Sequence, residues 1–234
     1  MPIIKLVNVS KKYRSGNQEF YALRDINLAI EEGEFVCIMG PSGSGKTTLL
    51  NLIGALDKPT EGKVYIEGID ISTLSDSELA DLRNKKIGFI FQQHYLIPIL
   101  TALENVLLPM IFAGKKDVEK AKKLLDLVGM REFYNYYPNQ LSGGQNQKVA
   151  IARALANDPI IILADEPTAS LDIKSAKTVM DILSKLHKQG NTIVLVTHDP
   201  SIAKYAERIV VLKAGRILSN DASVEEAIKL LEEN

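Results

Sequence analysis

The stretch Gly40-Pro41-Ser42-Gly43-Ser44-Gly45-Lys46-Thr47 constrains this chain more than any other. It fits G-x-x-x-x-G-K-[ST] at every fixed position. Its context also fits: the apolar run Glu34–Met39 precedes it, and a helix is expected over Thr47–Ala55. Glycines let the backbone turn so that successive N–H groups face one concavity. The helix adds the partial positive charge of its N-terminus. Lys46 supplies a point charge for the β- and γ-phosphates, and the Thr47 hydroxyl can ligate Mg2+. Thr48 completes the loop residues read as nucleotide contacts. The pattern implies a nucleoside triphosphate. It does not separate kinases, GTPases and motors.

Short apolar runs recur along the chain at Ile3–Val9, Ala22–Ile30, Lys63–Glu67, Ile87–Phe91, Ile160–Ala164, Thr192–Val196 and Arg208–Leu212. Five- and six-residue apolar runs suit strands covered on both faces. From about Gln92 to Asp158 the character turns helical. Asp117–Val128 has an Asp117 N-cap, a Glu119–Lys123 pair at i,i+4 and a Gly129 stop. A longer helix is expected over Asp172–Lys188, and Ser223-Val224-Glu225-Glu226 is a capping-box signature for a last one. Strands alternating with helices predict an α/β sheet with a helical subdomain inserted in its middle.

Composition removes several function classes. Lys and Arg number 28 against 29 Asp and Glu, a net charge of −1, which gives no support for nucleic acid as a partner. The single Cys37 excludes an intrachain disulfide and reads as a core thiol. Three scattered His with one Cys do not make a zinc site. No apolar run approaches the ~18–20 residues that span a bilayer, and the opening residues lack signal-peptide anatomy. A cytoplasmic protein is expected.

Pro159-Ile160-Ile161-Ile162-Leu163-Ala164-Asp165-Glu166-Pro167 is an apolar strand ending in two carboxylates. Ligands of open α/β sheets collect at strand carboxyl ends. Asp165 is therefore expected on the Mg2+ side, and Glu166 is expected as the general base for an attacking water.

A second anion-type feature is Leu141-Ser142-Gly143-Gly144-Gln145, placed before a helix read over Asn146–Asn157. A capping box explains Ser142 and Gln145. It does not explain two glycines in a first helical turn, where Gly is less favourable than Ala by up to ~1 kcal/mol. Something must approach that backbone closely. Two phosphate-binding helix starts can serve one nucleotide if a two-fold dimer sets the loop of one copy opposite the signature of the other.

With the phosphate loop and the acidic strand, Leu141–Gln145 resembles the ATP-binding cassette (ABC) family over nearly the whole chain. The resemblance implies a P-loop NTPase core with a mostly parallel sheet, an N-terminal antiparallel β subdomain and an inserted helical subdomain. It implies one domain over 1–234, with the core at 1–91 and 159–234 and the helical subdomain at 92–158. Tyr13 matches the aromatic that stacks on adenine, with Tyr21 as the competitor. Gln92 matches the glutamine that touches Mg2+ and water, with Gln93 as the neighbouring alternative. His198 matches the switch histidine at the γ-phosphate. Asp172 matches a loop that crosses the dimer interface, and it also reads as an N-cap. The chain departs from the family's usual letters at Asn146, Lys148 and Ala169.

One cassette, a short chain between Lys46 and Leu141 and a short tail after Leu212 set expectations within the family. They point away from two-cassette proteins, from coiled-coil chromosome relatives and from importers with a regulatory domain. Without a membrane span, the pore is expected on a separate polypeptide. Tyr95–Val106 reads either as core or as an exposed groove for that partner, so permease contact is expected over Gln92–Val106. Its wording, with Pro138-Asn139-Gln140, is similar to the lipoprotein-releasing and macrolide or antimicrobial-peptide exporter ATPases. The alternative is a non-transport ATPase that signals through a membrane partner, as in the similar cell-division cassette.

Overall fold

The computed structural model describes residues 2–16 and 18–233. Met1, which opens the stretch read for a signal peptide, lies outside them. In chain order the elements are β1 (Ile4–Ser15), β2 (Gln18–Ile30), β3 (Phe35–Met39), α1 (Lys46–Ile53), β4 (Glu61–Ile66), β5 (Ile69–Asp70), α2 (Asp76–Lys86), β6 (Ile87–Phe91) and α3 (Ala102–Phe112). Then follow α4 (Val118–Leu127), α5 (Gly143–Ala154), β7 (Ile161–Asp165), α6 (Ile173–Lys188), β8 (Thr192–Thr197), α7 (Pro200–Ala203), β9 (Arg208–Lys213), β10 (Arg216–Ala222) and α8 (Val224–Glu232). The chain divides into two compact units, 1–79 with 192–234, and 80–191.

The first unit holds an antiparallel sheet in the order β2-β1-β4-β5 and a mixed run of strands in the order β10-β9-β3-β8. In that run β10 and β9 pair antiparallel, while β3 pairs parallel with both β9 and β8. Every residue of β3 and β8 is buried, as parallel strands covered on both faces require. Cys37 is buried in β3, as its apolar neighbours predict. Glu34, just before β3, meets Arg208 at the start of the neighbouring β9, with Arg208 Nη2 at 2.7 Å from its carboxylate. The antiparallel N-terminal sheet and the parallel strands are those of the expected α/β class.

In the second unit β6 and β7 pair parallel, from Ile87 opposite Ile161 to Phe91 opposite Asp165. Helix α5 packs on β6, α3, α4 and α6 and buries Val149, Ala150, Ile151, Ala152 and Ala154. The Asp117 cap holds: its carboxylate accepts from the Lys120 N–H at 2.8 Å. Glu119 pairs with Lys122 at 3.0 Å, one step short of the expected Lys123. Both lysines are within reach of a surface helix pair, worth only ~0.5 kcal/mol, so nothing strong selects between them. At the chain's end Ser223 Oγ accepts from the Glu226 N–H at 3.1 Å.

Candidate functional site: an uncapped phosphate-loop helix, an acidic turn and a glycine-led helix start

Helix starts differ in how their first N–H groups are met. Ser75, Thr101, Asp117, Ser142, Asp172, Asp199 and Ser223 each place a side-chain oxygen on a first-turn N–H of α2 to α8 respectively. Helix α1 alone among these begins on a glycine, Gly45, with no side-chain cap. An uncapped start after a glycine-rich loop fits an anionic ligand. Gly45 has φ 103°, and a Cβ there would lie 2.5 Å from the Ala22 carbonyl oxygen, so only glycine fits.

The rest of the loop is closely held. The Gly40 N–H donates to the Thr197 carbonyl at 3.4 Å and the Ser44 N–H to Pro41 O at 3.2 Å. Lys46, 8% exposed, donates through Nζ to the carbonyls of Gly40 and Pro41, each at 2.9 Å. Pro41, Ser42, Gly43 and Thr47 are exposed, and Thr48 is half-buried. Because Gly40 bonds to Thr197, the loop begins beside the residue that precedes His198. His198 itself is exposed, and the following Asp199 caps α7. The first unit therefore brings Gly40–Thr48 and His198 to the ends of adjacent parallel strands.

Tyr13 lies on β1 opposite Phe20. Its hydroxyl donates to Asp57 at 2.8 Å, and Lys11 Nζ sits 2.6 Å from the same carboxylate. Burial, then the bond to Asp57, pushes the Tyr13 phenol above its ordinary pKa. Burial works to raise the Asp57 carboxyl, but the bonds from Lys11, Tyr13 and the Lys58 N–H outweigh it and hold it low. Tyr21 is placed differently, with Lys12 Nζ at 4.7 Å and the Arg24 guanidinium at 4.4 Å from its ring.

In the second unit, Phe91 pairs with Asp165 across β6 and β7. Gln92 and Glu166 therefore leave the sheet side by side. Glu166 has φ 46°, a left-handed conformation that costs a non-glycine residue energy and is concentrated at functional turns. The turn is closed by the Ala169 N–H on the Glu166 carbonyl at 3.2 Å. Ser170 Oγ donates to the Gln92 carbonyl at 3.3 Å.

The expected capping box at α5 is present: the Gln145 N–H donates to Ser142 Oγ at 3.3 Å, and the Ser142 N–H to Gln145 Oε1 at 2.8 Å. The two glycines have different surroundings. A Cβ on Gly144 would lie 2.7 Å from Ser175 Oγ, whereas one on Gly143 would meet only Leu171 at 3.6 Å. Asp172 caps α6 as expected, accepting from the N–H groups of Lys174 and Ser175, each at 3.0 Å. It also accepts from Ser175 Oγ at 2.6 Å, and the Ser175 bonds hold its carboxyl below the ordinary value. Asp172, Ser175 and the signature thus form one packed group. Asn146, a departure from the family's letters, donates from Nδ2 to the Pro138 carbonyl at 2.9 Å. It secures the turn that leads into the signature.

Several residues of this unit were not singled out by sequence. Arg153 donates to the carbonyls of His94 at 2.6 Å and Tyr95 at 2.5 Å, both left-handed at φ 58° and 45°. Asn105, 1% exposed, accepts from the Ile97 N–H at 2.8 Å and donates to the carbonyls of Ile97, Leu100 and Thr101. Gln147, fully buried at 0% exposure, joins Phe91 and Pro167. Helical spacing from Ala150, Ile151 and Ala154 would have put Gln147 on the buried face, and a polar letter there is the signal. The stretch Tyr95–Val106 proves to be both core and surface: Ala102 and Val106 are buried, while Tyr95 is 61% and Ile99 80% exposed.

Among the described residues, no helix is long and apolar enough to cross a membrane. No group of three His, Cys, Asp or Glu among them could hold a metal ion.

The family model for "ABC transporter" matches residues 23–169. An ABC transporter ATP-binding protein of Methanocaldococcus jannaschii, MJ0796, is 56% identical over 223 residues, which are 92% of this chain and 95% of that protein. The macrolide export ATP-binding/permease protein MacB of Pasteurella multocida is 47% identical over 97% of this chain, which corresponds to 36% of MacB. A dimeric structure of MJ0796 in a post-hydrolysis state, bound to ADP and Pi, superposes with a TM-score of 0.87 at 53% identity, over 93% of this chain and 97% of that one. By motif, fold and likeness, this chain belongs to the ABC transporter family, as an ATP-binding cassette with ATPase activity.

Proposed function

We propose that this cassette pairs with a second copy of itself around two ATP molecules and drives a separate membrane permease that exports or extracts a lipoprotein, a macrolide or an antimicrobial peptide. The observation that carries the pairing is Gly143. It is exposed, and among the described residues outside its own helix turn the nearest atom to where its Cβ would be belongs to the Leu171 side chain, at 3.6 Å. A glycine in a first helical turn with no internal need for one fits close approach from outside. The dimeric MJ0796 structures support the same reading. Likeness to MacB, which joins cassette and permease in one chain by its name, supports a membrane partner and an export role.

In this reading Gly40–Thr48 cradles the triphosphate, Tyr13 stacks on the base, and Ser142–Gln145 with Asp172 of the other copy close on the same nucleotide. Gln92 and Asp165, with the Thr47 hydroxyl, are hard oxygen donors that suit Mg2+. When bound, the ion neutralises phosphate charge during transfer. Glu166 accepts the proton of the attacking water. His198 donates to the γ-phosphate as charge develops. Residues 92–158 form the helical subdomain, and Gln92–Val106 meets the permease at the inner face of the membrane. No nucleic acid takes part.

Glu166→Gln is the deciding variant. It should bind ATP like the wild type, hydrolyse it at least about 100-fold more slowly, and accumulate as an ATP-bound dimer by light scattering. Wild-type turnover, or no ATP-promoted pairing, would refute this reading. ATP turnover without cargo movement, in vesicles holding the complete complex, would favour the signalling alternative.

A further inference from the structure

Gln147 stands near the start of α5, with a side chain that is fully buried. Its Nε2 donates to the Pro167 carbonyl at 2.8 Å and makes a longer contact with the Phe91 carbonyl at 3.5 Å. Pro167 follows Glu166 directly, and Phe91 precedes Gln92 directly. Its Oε1 is buried with no hydrogen-bond partner among the described residues. A half-satisfied buried amide is unfavourable where an apolar side chain of equal size would fill the space. The amide's compensating role is the pair of carbonyls it joins.

Those carbonyls belong to segments that need holding. Glu166 has a left-handed backbone that persists only where the surroundings over-determine it. Thr168, also buried at 8% exposure, closes the same turn by accepting from the Leu171 N–H at 3.1 Å through its carbonyl. We infer that Gln147 is a positioning residue for ATP hydrolysis: one amide on the signature helix fixes the turn that presents Glu166 and the end of the strand that leads into Gln92. The inference rests on the reading of Glu166 as the base. It adds a link inside one protomer between the signature helix and the hydrolytic turn, because a shift of α5 moves the group that holds Pro167.

The experiment is a double-mutant cycle in the full chain: wild type, Gln147→Met, Glu166→Gln and the pair. Each is measured for ATP affinity by calorimetry, for steady-state KM and kcat, and for single-turnover hydrolysis. Gln147→Met fills the site without donating. It should keep ATP affinity and KM within about 3-fold while kcat falls about 10- to 100-fold. In the Glu166→Gln background the same change should cost nothing further, because the residues act as a unit. Unchanged kcat in Gln147→Met, equal losses in both backgrounds, or a loss carried by KM would each overturn the inference. Wild-type turnover in Glu166→Gln alone would instead remove the reading of Glu166, and the inference with it.

Should Gln147→Met fail to fold, Gln147→Glu decides. A buried carboxyl has a raised pKa. Once protonated it can donate to Pro167, and once ionised it cannot. Its kcat relative to wild type should rise several-fold between about pH 8 and about pH 6. A flat ratio would overturn the inference.

Discussion

Ser175 stands so close to Gly144 that a methyl group on the glycine would lie 2.7 Å from the serine Oγ and 2.8 Å from its Cβ. The second signature glycine is thus required by a neighbour in its own unit. Gly144→Ala should destabilise the protein by about 1–3 kcal/mol through overpacking, seen as a lowered denaturation midpoint. Adding Ser175→Gly should restore most of that loss. Gly143→Ala should fold with wild-type stability yet lose ATP-promoted pairing, read by light scattering. If both alanine variants behaved alike in both assays, the division of labour between the two glycines would be wrong.

Lys46 is held by the carbonyls of Gly40 and Pro41. Its ammonium is therefore fixed against the loop's own backbone. Lys46→Ala should weaken ATP affinity by at least about 10-fold, the scale of one charge-assisted contact, measured by calorimetry. Unaltered affinity would contradict the phosphate-loop assignment.

Asp57 links Tyr13 to Lys11 with its carboxyl held below the ordinary value. A carboxylate held low contributes stability in full above its unfolded value of about 3.9 and loses it as pH falls through the lower folded value. Asp57→Asn should cost about 0.5–1.5 kcal/mol at neutral pH. The gap from wild type should close as acid is added below about pH 4. Urea midpoints across pH test this; a gap that widens in acid would have the wrong sign.

Arg153 holds two consecutive left-handed residues, His94 and Tyr95, by their carbonyls. Burial makes its guanidinium easier to deprotonate than usual, so a partner set is needed to keep it there. Arg153→Leu should loosen 92–100 selectively, with amide exchange there faster by about 10-fold or more while β6 stays protected. Uniform exchange across the second unit would assign Arg153 a general structural role.

Much of this was legible because the chemistry is local. The strand at Ile87–Phe91, the Asp117 and Asp172 caps and the Ser142–Gln145 box depend on neighbours within a few residues. Their patterns survive without knowledge of the fold. Other features depend on contacts distant in sequence. Gly144 answers to Ser175, Gln147 to Phe91 and Pro167, and Tyr13 to Asp57. Helix α2 was also missed: with Leu79 as its only buried residue, it offers almost no apolar stripe to read. The choice of Lys122 over Lys123 was equally out of reach, since the alternatives differ by less than the pair is worth.

The segment 97–101 hangs from Asn105, whose one amide meets four backbone groups. Its shape is therefore not written in its own outward letters, and Ile99 projects with no duty to the backbone beneath it. The outward side chains of that rim are thus separable from the amide that mounts it. In the reading proposed above, in which this rim meets a permease, a point substitution at Ile99 alters the contact surface and leaves the backbone beneath it in place.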